Sequence, residues 1–365
     1  MKRSIAIFIS KLPLALVGLI VINCLYGFMI LYSAGYNNFD PWALKQMINF
    51  LIFFPVMLFV AYVDLRVIFK YSYVFYFLVL LLLLGVEVFG HTAKGAARWI
   101  SIGGFKLQPS EPVKIAMVLF LAKYFHNLKA ENLGKITYLL PAIIAVLVPA
   151  ALIIKQPDLG TGIILLGVSG MMFFASGVRM WKFGAVFASL LAAFPFIWSN
   201  LYDYQKKRVE VFISPDLDPL GAGYNIIQSK IAIGSGGFFG KGLGQGSQSH
   251  LSFLPEHQTD FIFACLAEDL GFAGGMLLIA IYSLIIYLSL SIAIHAKNLF
   301  AKMVVVGVTS IFFCHICINI GMVTGLMPAV GIPLPLISYG GTMMASILIG
   351  FGLVINAYVH QYSKI

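Results

Sequence analysis

Asp260 closes the segment Leu254-Pro255-Glu256-His257-Gln258-Thr259-Asp260 and stands at the head of a long apolar run. A carboxylate there has two uses: it complements the positive end of a helix dipole, or it takes a proton as a general base. A second polar group is Gln108-Pro109-Ser110-Glu111-Pro112-Val113-Lys114, preceded by Gly95-Ala96-Ala97-Arg98-Trp99-Ile100. Glu111 and Lys114 are three apart and so share a helix face. They form either a structural ion pair or, with Arg98, the polar wall of a groove. Ser110 suits a helix cap and Pro112 a first turn. Asp158, in Lys155-Gln156-Pro157-Asp158-Leu159-Gly160, follows a helix-ending proline and reads as a helix start or a site residue.

The glycine-rich stretch holding Gly234-Ser235-Gly236-Gly237 and Gly240-Lys241-Gly242 invites comparison with a phosphate loop. It fails twice, because Ser235 stands at the first glycine position and Gly242 where Ser or Thr is needed. The alternatives are a re-entrant or interfacial segment, whose amides and Lys241 meet an anionic headgroup, or a flexible loop over the bundle. Cys314-His315-Ile316-Cys317 lacks further ligands at usable spacing and reads as packing inside a helix. With Cys24 and Cys265 also in apolar runs, no disulfide framework is expected. Glu268, eight residues beyond Asp260, is expected to be a buried, paired carboxylate.

These residues sit in a chain of 365 residues that is 60% hydrophobic and only 10% charged. A soluble globule carries about 25% charged residues, so this much apolar surface calls for a bilayer. Ten apolar stretches read as spanning helices, at 13–33, 45–63, 70–90, 110–125, 136–155, 159–177, 181–199, 260–294, 302–324 and 340–360, the fourth of them short and polar at its start. The expected fold is an all-α integral membrane protein, a single polytopic domain over 1–365, with a long extracytoplasmic loop at about 200–259 between helices seven and eight. No cleavage site follows the first stretch, which reads as a retained helix rather than a signal peptide.

Lysine and arginine orient the bundle. One set of connections carries Lys2, Arg3, Lys11, Arg66, Lys70, Lys123, Lys129, Lys135, Arg179, Lys182, Lys297, Lys302 and Lys364, whereas the short loops of the other side carry only Lys45, Lys94, Arg98, Lys106 and Lys155. The positive-inside rule places both termini in the cytoplasm. Asp260, the loop 91–109 and the uncharged, proline-rich connection Gly325–Pro335 with Leu336–Thr342 then face outward. Irregular backbone at membrane depth is tolerated where it is buried or lines a wet cavity, so an outward-facing cavity beside a lipid-accessible groove is expected.

Taken together, Gly95–Ile100, Gln108–Lys114, Gln156–Gly160, Gly221–Ser229, His257–Leu270 and Pro328–Gly341 resemble the shape, elongation, division and sporulation (SEDS) family of bacterial membrane glycosyltransferases. Six motifs in the family's order cover nearly the whole chain. Leu254–Phe263 and Ala329–Thr342 look more like the rod-shape elongation branch than the division or sporulation branches. The resemblance implies polymerisation of lipid II at the outer face of the cytoplasmic (inner) membrane, alongside a class B penicillin-binding protein and the elongation machinery. Membrane lipids are further partners, and no nucleic acid is expected. It implies that Asp260 is the essential aspartate. It also carries the family's Glu-Lys pair onto Glu111 and Lys114, its loop arginine onto Arg98 and its Gln-Pro-Asp aspartate onto Asp158.

The chemistry implied is inverting. Asp260 activates the acceptor 4-hydroxyl, as a base or through a divalent cation (Mg or Mn). Arg98, Lys114 and long-loop lysines such as Lys241 are candidates for the pyrophosphate. Two other classes fit the same polar cluster: a lipid II flippase, and a non-catalytic scaffold for the transpeptidase.

Overall fold

The computed structural model describes residues 8, 10–89, 91–93, 96–102, 105–214, 221–250 and 254–361. Ten long helices coincide with the ten apolar stretches: α1 (Leu14–Ala34), α2 (Trp42–Tyr62), α3 (Leu65–Phe89), α4 (Ser110–Asn127), α5 (Ile136–Lys155), α6 (Leu159–Ala175), α7 (Met180–Asn200), α11 (Ile262–His295), α12 (Leu299–Val323) and α13 (Gly341–Val359). Seven of them are long and apolar enough to cross a membrane, and α6 and the apolar part of α7 are shorter apolar helices. The remaining one, α4, opens with Glu111 and Lys114. The long loop is partly helical, with α8 (Asp203–Ile213), α9 (Ala222–Ser235) and α10 (Ser247–His250). The protein is a multi-pass membrane protein.

One element departs from the expected loop at 91–109. Strands β1 (His91–Ala93), β2 (Ala96–Ile102) and β3 (Phe105–Leu107) form a small antiparallel sheet in the order β1-β2-β3, with His91 opposite Trp99 and Ile100 opposite Leu107. The Gly103-Gly104 pair in the sequence is a hairpin signal. Ser110 also departs from expectation, since it caps nothing: Pro109 precedes the first turn of α4 and no side chain bonds the free amides.

Helices α12 and α13 lie deepest. α12 packs against α4, α6, α11 and α13, while α13 runs along α2. Lipid tails are as apolar as leucine, so membrane helices gain from close approach and hydrogen bonds more than from hydrophobic burial. Gly352 of α13 illustrates the approach, because a Cβ there would stand 2.7 Å from Met57 O of α2. At the far end of the same contact Asn356 Nδ2 donates to Val60 O at 2.9 Å and Ala61 O at 3.2 Å, satisfying carbonyls that the last turn of α2 leaves open.

Prolines inside spans need the same repair. Pro149 in α5 has no N–H for Ala145 O, four residues earlier. Tyr76 of α3 supplies the missing donor, its hydroxyl lying 2.7 Å from Ala145 O. By contrast α7 buries none of its described side chains and stands at the periphery.

Candidate active site

The polar elements gather at one end of the bundle, formed by the N-termini of α4, α6, α11 and α13 and the C-termini of α1, α5 and α12. Asp260 lies in the turn 254–261 that leads into α11, and it is partly exposed. The turn is stitched to the connection between α12 and α13. Ser338 Oγ donates to Thr259 O at 2.6 Å and accepts from Leu334 N at 2.7 Å, and Tyr339 N donates to Gln258 O at 3.0 Å. Asn319 of α12 donates from Nδ2 to Asp260 O at 2.8 Å and to Ile332 O at 2.6 Å. The carboxylate lies over Gly331, whose φ is +71°, and a Cβ there would come 3.3 Å from Asp260 Oδ2. The backbone of Asp260 is therefore held by a buried amide, and the residue is partly exposed at this end of the bundle.

Glu111 and Lys114 pair as their spacing requires, at 2.8 Å between Glu111 Oε1 and Lys114 Nζ. Their surroundings differ from a groove wall: Lys114 is 1% and Glu111 5% exposed, enclosed where α4 meets α12. A buried ammonium needs more than one acceptor, and the second is His315 Nε2, 2.7 Å from Lys114 Nζ. His315, expected from the sequence to serve as packing, is thus a polar partner of the pair. Its signal is present in the sequence, because His315 and Asn319 are four apart on one face of a largely apolar helix.

Asp158 acts as a cap. At the start of α6 its Oδ1 accepts from Thr161 N at 3.3 Å, and its Oδ2 accepts from Thr161 Oγ1 at 3.0 Å and from Gln108 Nε2 at 3.3 Å. It is 7% exposed, so its carboxylate is committed to the helix end rather than offered to solvent. Arg98 belongs to β2, and its side chain lies outside the described residues.

Lys241 lies in the glycine-rich stretch, which has a different task from a headgroup cradle. Helix α11 is broken at Gly271, with φ 65° and ψ −163°. In an unbroken helix Phe272 N would bond Glu268 O and Ala273 N would bond Asp269 O. Here Phe272 N donates to Gly237 O at 2.9 Å and Ala273 N to Phe238 O at 3.0 Å, while Lys241 N and Gly242 N donate to Glu268 O and Asp269 O at 3.0 and 2.9 Å. The loop is thus spliced into the helix ladder. Those two amides are spent on helix carbonyls and not on a ligand. Gly240, with φ +82°, approaches so closely that a Cβ would sit 2.1 Å from Asp269 O. Lys241 Nζ pairs with the fully buried Glu268 at 2.8 Å and also donates to Ser247 Oγ at 3.0 Å. The expectation of a buried, paired Glu268 is met. Asp269, on another face of the helix, accepts from Ser33 Oγ of α1.

An apolar groove of about 430 Å³ adjoins the broken helix, between α9, α11 and α12, lined among others by Gly234, Phe263, Gly271, Met276 and Ile320. Phe263 is three residues from Asp260 and Ile320 follows Asn319, so apolar surface begins beside the polar turn. Among the described residues, no three His, Cys, Asp or Glu side chains converge as a metal site.

The chain is 42% identical to the peptidoglycan glycosyltransferase MrdB of Escherichia coli (strain K12) over 341 residues, 92% of this chain and 90% of that protein. It is 42% identical over 292 residues to stage V sporulation protein E of Bacillus subtilis (strain 168), covering 80% of this chain and 77% of that one. A solved chain from a peptidoglycan synthase complex, described as coordinating polymerization and crosslinking, superposes with a TM-score of 0.84 at 30% identity, over 97% of this chain and 99% of that one. The rod shape determining protein RodA of Thermus thermophilus superposes with a TM-score of 0.73 at 26% identity, over 97% and 98%. The family model for the FtsW, RodA and SpoVE cell cycle proteins matches residues 5–363. With its ten helices, its motifs and nearly its whole length accounted for, this chain belongs to the FtsW, RodA and SpoVE family.

Proposed function

We propose that this protein is a peptidoglycan glycosyltransferase of the elongation type, polymerising lipid II into glycan strands, with Asp260 as its base. The observation that carries the reading is the contrast at Asp260. Its main chain is pinned by Asn319, while the residue is partly exposed and its carboxylate lies over Gly331, near apolar surface suited to a lipid tail. Names of relatives support the activity: MrdB of Escherichia coli and of Helicobacter pylori are both peptidoglycan glycosyltransferases.

In this mechanism the 4-hydroxyl of the acceptor sugar loses its proton to a carboxylate oxygen of Asp260 as the oxygen attacks the anomeric carbon at the reducing end of the growing chain. The bond from that carbon to the pyrophosphate breaks, and the electron pair leaves with the phosphate. Attack opposite the leaving group turns an α-linked donor into a β-linked product, so no covalent enzyme intermediate is needed. General base assistance of this kind contributes about 10²–10⁴ in rate. Lys114 and Lys241 are engaged with buried carboxylates, which leaves Arg98 as the stronger candidate for the pyrophosphate.

A divalent cation, Mg or Mn, has no protein-only cage among the described residues. A single carboxylate with substrate phosphates and water is nonetheless a donor set that Mg uses, and Asp260 would be its protein ligand. Such an ion would neutralise pyrophosphate charge.

The placement of lysines and arginines supports an inner-membrane protein with both termini in the cytoplasm and Asp260 outside. The neighbouring synthase complex supports a crosslinking partner, which we take to be a class B penicillin-binding protein. The test is full-length protein reconstituted with that partner and lipid II. Asp260→Asn is expected to lower polymer formation at least 10²-fold. Polymer at the wild-type rate would end the assignment. Lipid II crossing vesicle membranes without any polymer would favour the flippase instead.

A further inference from the structure

We infer that His315 is a positioning residue for Asp260, acting through the connection between α12 and α13; the inference rests on reading Asp260 as the base. Lys114 Nζ stands 2.8 Å from Glu111 Oε1 and 2.7 Å from His315 Nε2, and His315 is 2% exposed. An ammonium only donates. His315 Nε2 is therefore the acceptor, and the ring hydrogen sits on Nδ1, which faces Pro333 O at 3.4 Å. One turn along α12, Asn319 Nδ2 holds Ile332 O at 2.6 Å and Asp260 O at 2.8 Å.

Two side chains on one face of α12 thus grip consecutive carbonyls of the connection, Ile332 by Asn319 and Pro333 by His315. The next residue back is Gly331, the floor under the Asp260 carboxylate. The proline-rich run has few amides of its own with which to fix itself, since Pro333 and Pro335 carry none. The Glu111–Lys114 pair anchors the imidazole, the imidazole holds Pro333, and Gly331 sets where the acid group can lie. Packing alone does not require this histidine. A leucine would fill the space, whereas an imidazole at this depth needs both nitrogens partnered. A displacement of about 1 Å near reacting atoms costs about 10²-fold in rate, so a loosened connection is read in kcat, and substrate binding is left nearly intact.

The experiment uses full-length protein with its partner and lipid II, and compares wild type, Asp260→Asn, His315→Leu, His315→Gln, Lys114→Met and the His315→Leu/Lys114→Met double variant. We expect His315→Leu to lower kcat about 10-fold or more with KM within about twofold. We expect His315→Gln, whose amide oxygen can accept from Lys114, to recover most of it. The double variant is expected to be no worse than the worse single, because both act in one chain of contacts. Wild-type kcat in His315→Leu, or equal losses in the Leu and Gln variants, overturns the inference. If Asp260→Asn is inactive while His315→Leu is at wild type, only this inference fails. If Asp260→Asn is fully active, the reading beneath it fails. Should the variants not fold, the wild-type protein with ¹⁵N-labelled histidine decides. A buried imidazole protonated on Nδ1 and bare on Nε2 is expected, and the opposite tautomer overturns the inference.

Discussion

Lys241 and Glu268 are joined twice, main chain to main chain at 3.0 Å from Lys241 N to Glu268 O, and side chain to side chain at 2.8 Å from Nζ to Oε1. Glu268 Oε1 also accepts from Gln248 N at 3.0 Å and Ser247 Oγ at 3.3 Å, so one buried oxygen gathers the glycine-rich loop onto the broken helix α11. A membrane enzyme that breaks a helix must re-pair the freed backbone, and this loop does so with its own amides and carbonyls.

Removing one member of that pair should cost more than removing both. Lys241→Met leaves a buried carboxylate with its cation gone, and breaking a buried pair costs about 3–5 kcal/mol, less here because Lys241 is partly exposed. Lys241→Met/Glu268→Met is therefore expected to melt above the Lys241→Met single variant in detergent. A double variant that melts lower would show that the ion pair does more than compensate charge.

The splice itself depends on glycine. Gly240→Ala forces a Cβ against Asp269 O at 2.1 Å in a left-handed conformation. Loss of a monodisperse, folded protein is expected. Gly170→Ala in α6 is the control, because a Cβ there meets nothing within 4 Å. It should be neutral or stabilise by about 0.5–1 kcal/mol. Thermal unfolding followed by size-exclusion chromatography reads both, and a folded Gly240→Ala would refute the close contact.

Tyr76→Phe removes the hydroxyl that answers Pro149. The buried Ala145 carbonyl then lacks a partner, at a cost of about 1–3 kcal/mol. Pro149→Ala restores an N–H at the right place in the helix, so adding it to Tyr76→Phe should recover most of the melting temperature. No recovery in the double variant would mean the tyrosine acts by packing alone.

Asp158→Asn should behave almost as wild type, since asparagine caps a helix as well as aspartate does, whereas Asp158→Ala should lose about 1 kcal/mol. Initial polymerisation rates are expected to follow stability and not charge. A dead but fully folded Asp158→Asn would instead assign the carboxylate to the chemistry.

Chelation tests the cation. With Mg or Mn removed, polymer formation is expected to stop while the melting temperature stays within about 1 °C, because no protein cage of three ligands exists among the described residues to be emptied. A large fall in melting temperature on chelation would reveal a structural ion in place of a substrate-borne one.

What the chain reveals by itself is what depends on neighbours in sequence. Hydropathy over about 20 residues located ten long helices, seven of them long and apolar enough to span, with α5 matching its expected bounds of 136–155, because a bilayer of fixed thickness judges each segment alone. Spacing alone also paired Glu111 with Lys114 and put Asp158 at a helix start. Tertiary packing decided whether a charge faces water or another charge. Lys114 and Lys241 look alike as single lysines in polar motifs, yet one is enclosed against His315, 201 positions away, and the other is tied to Glu268, 27 positions away. Glycines expected to face an anionic headgroup or to form a loop over the bundle make a splice for the same reason. The desolvation that commits a polar group to a partner is set by whatever the fold brings against it, and no local window of sequence contains that neighbour.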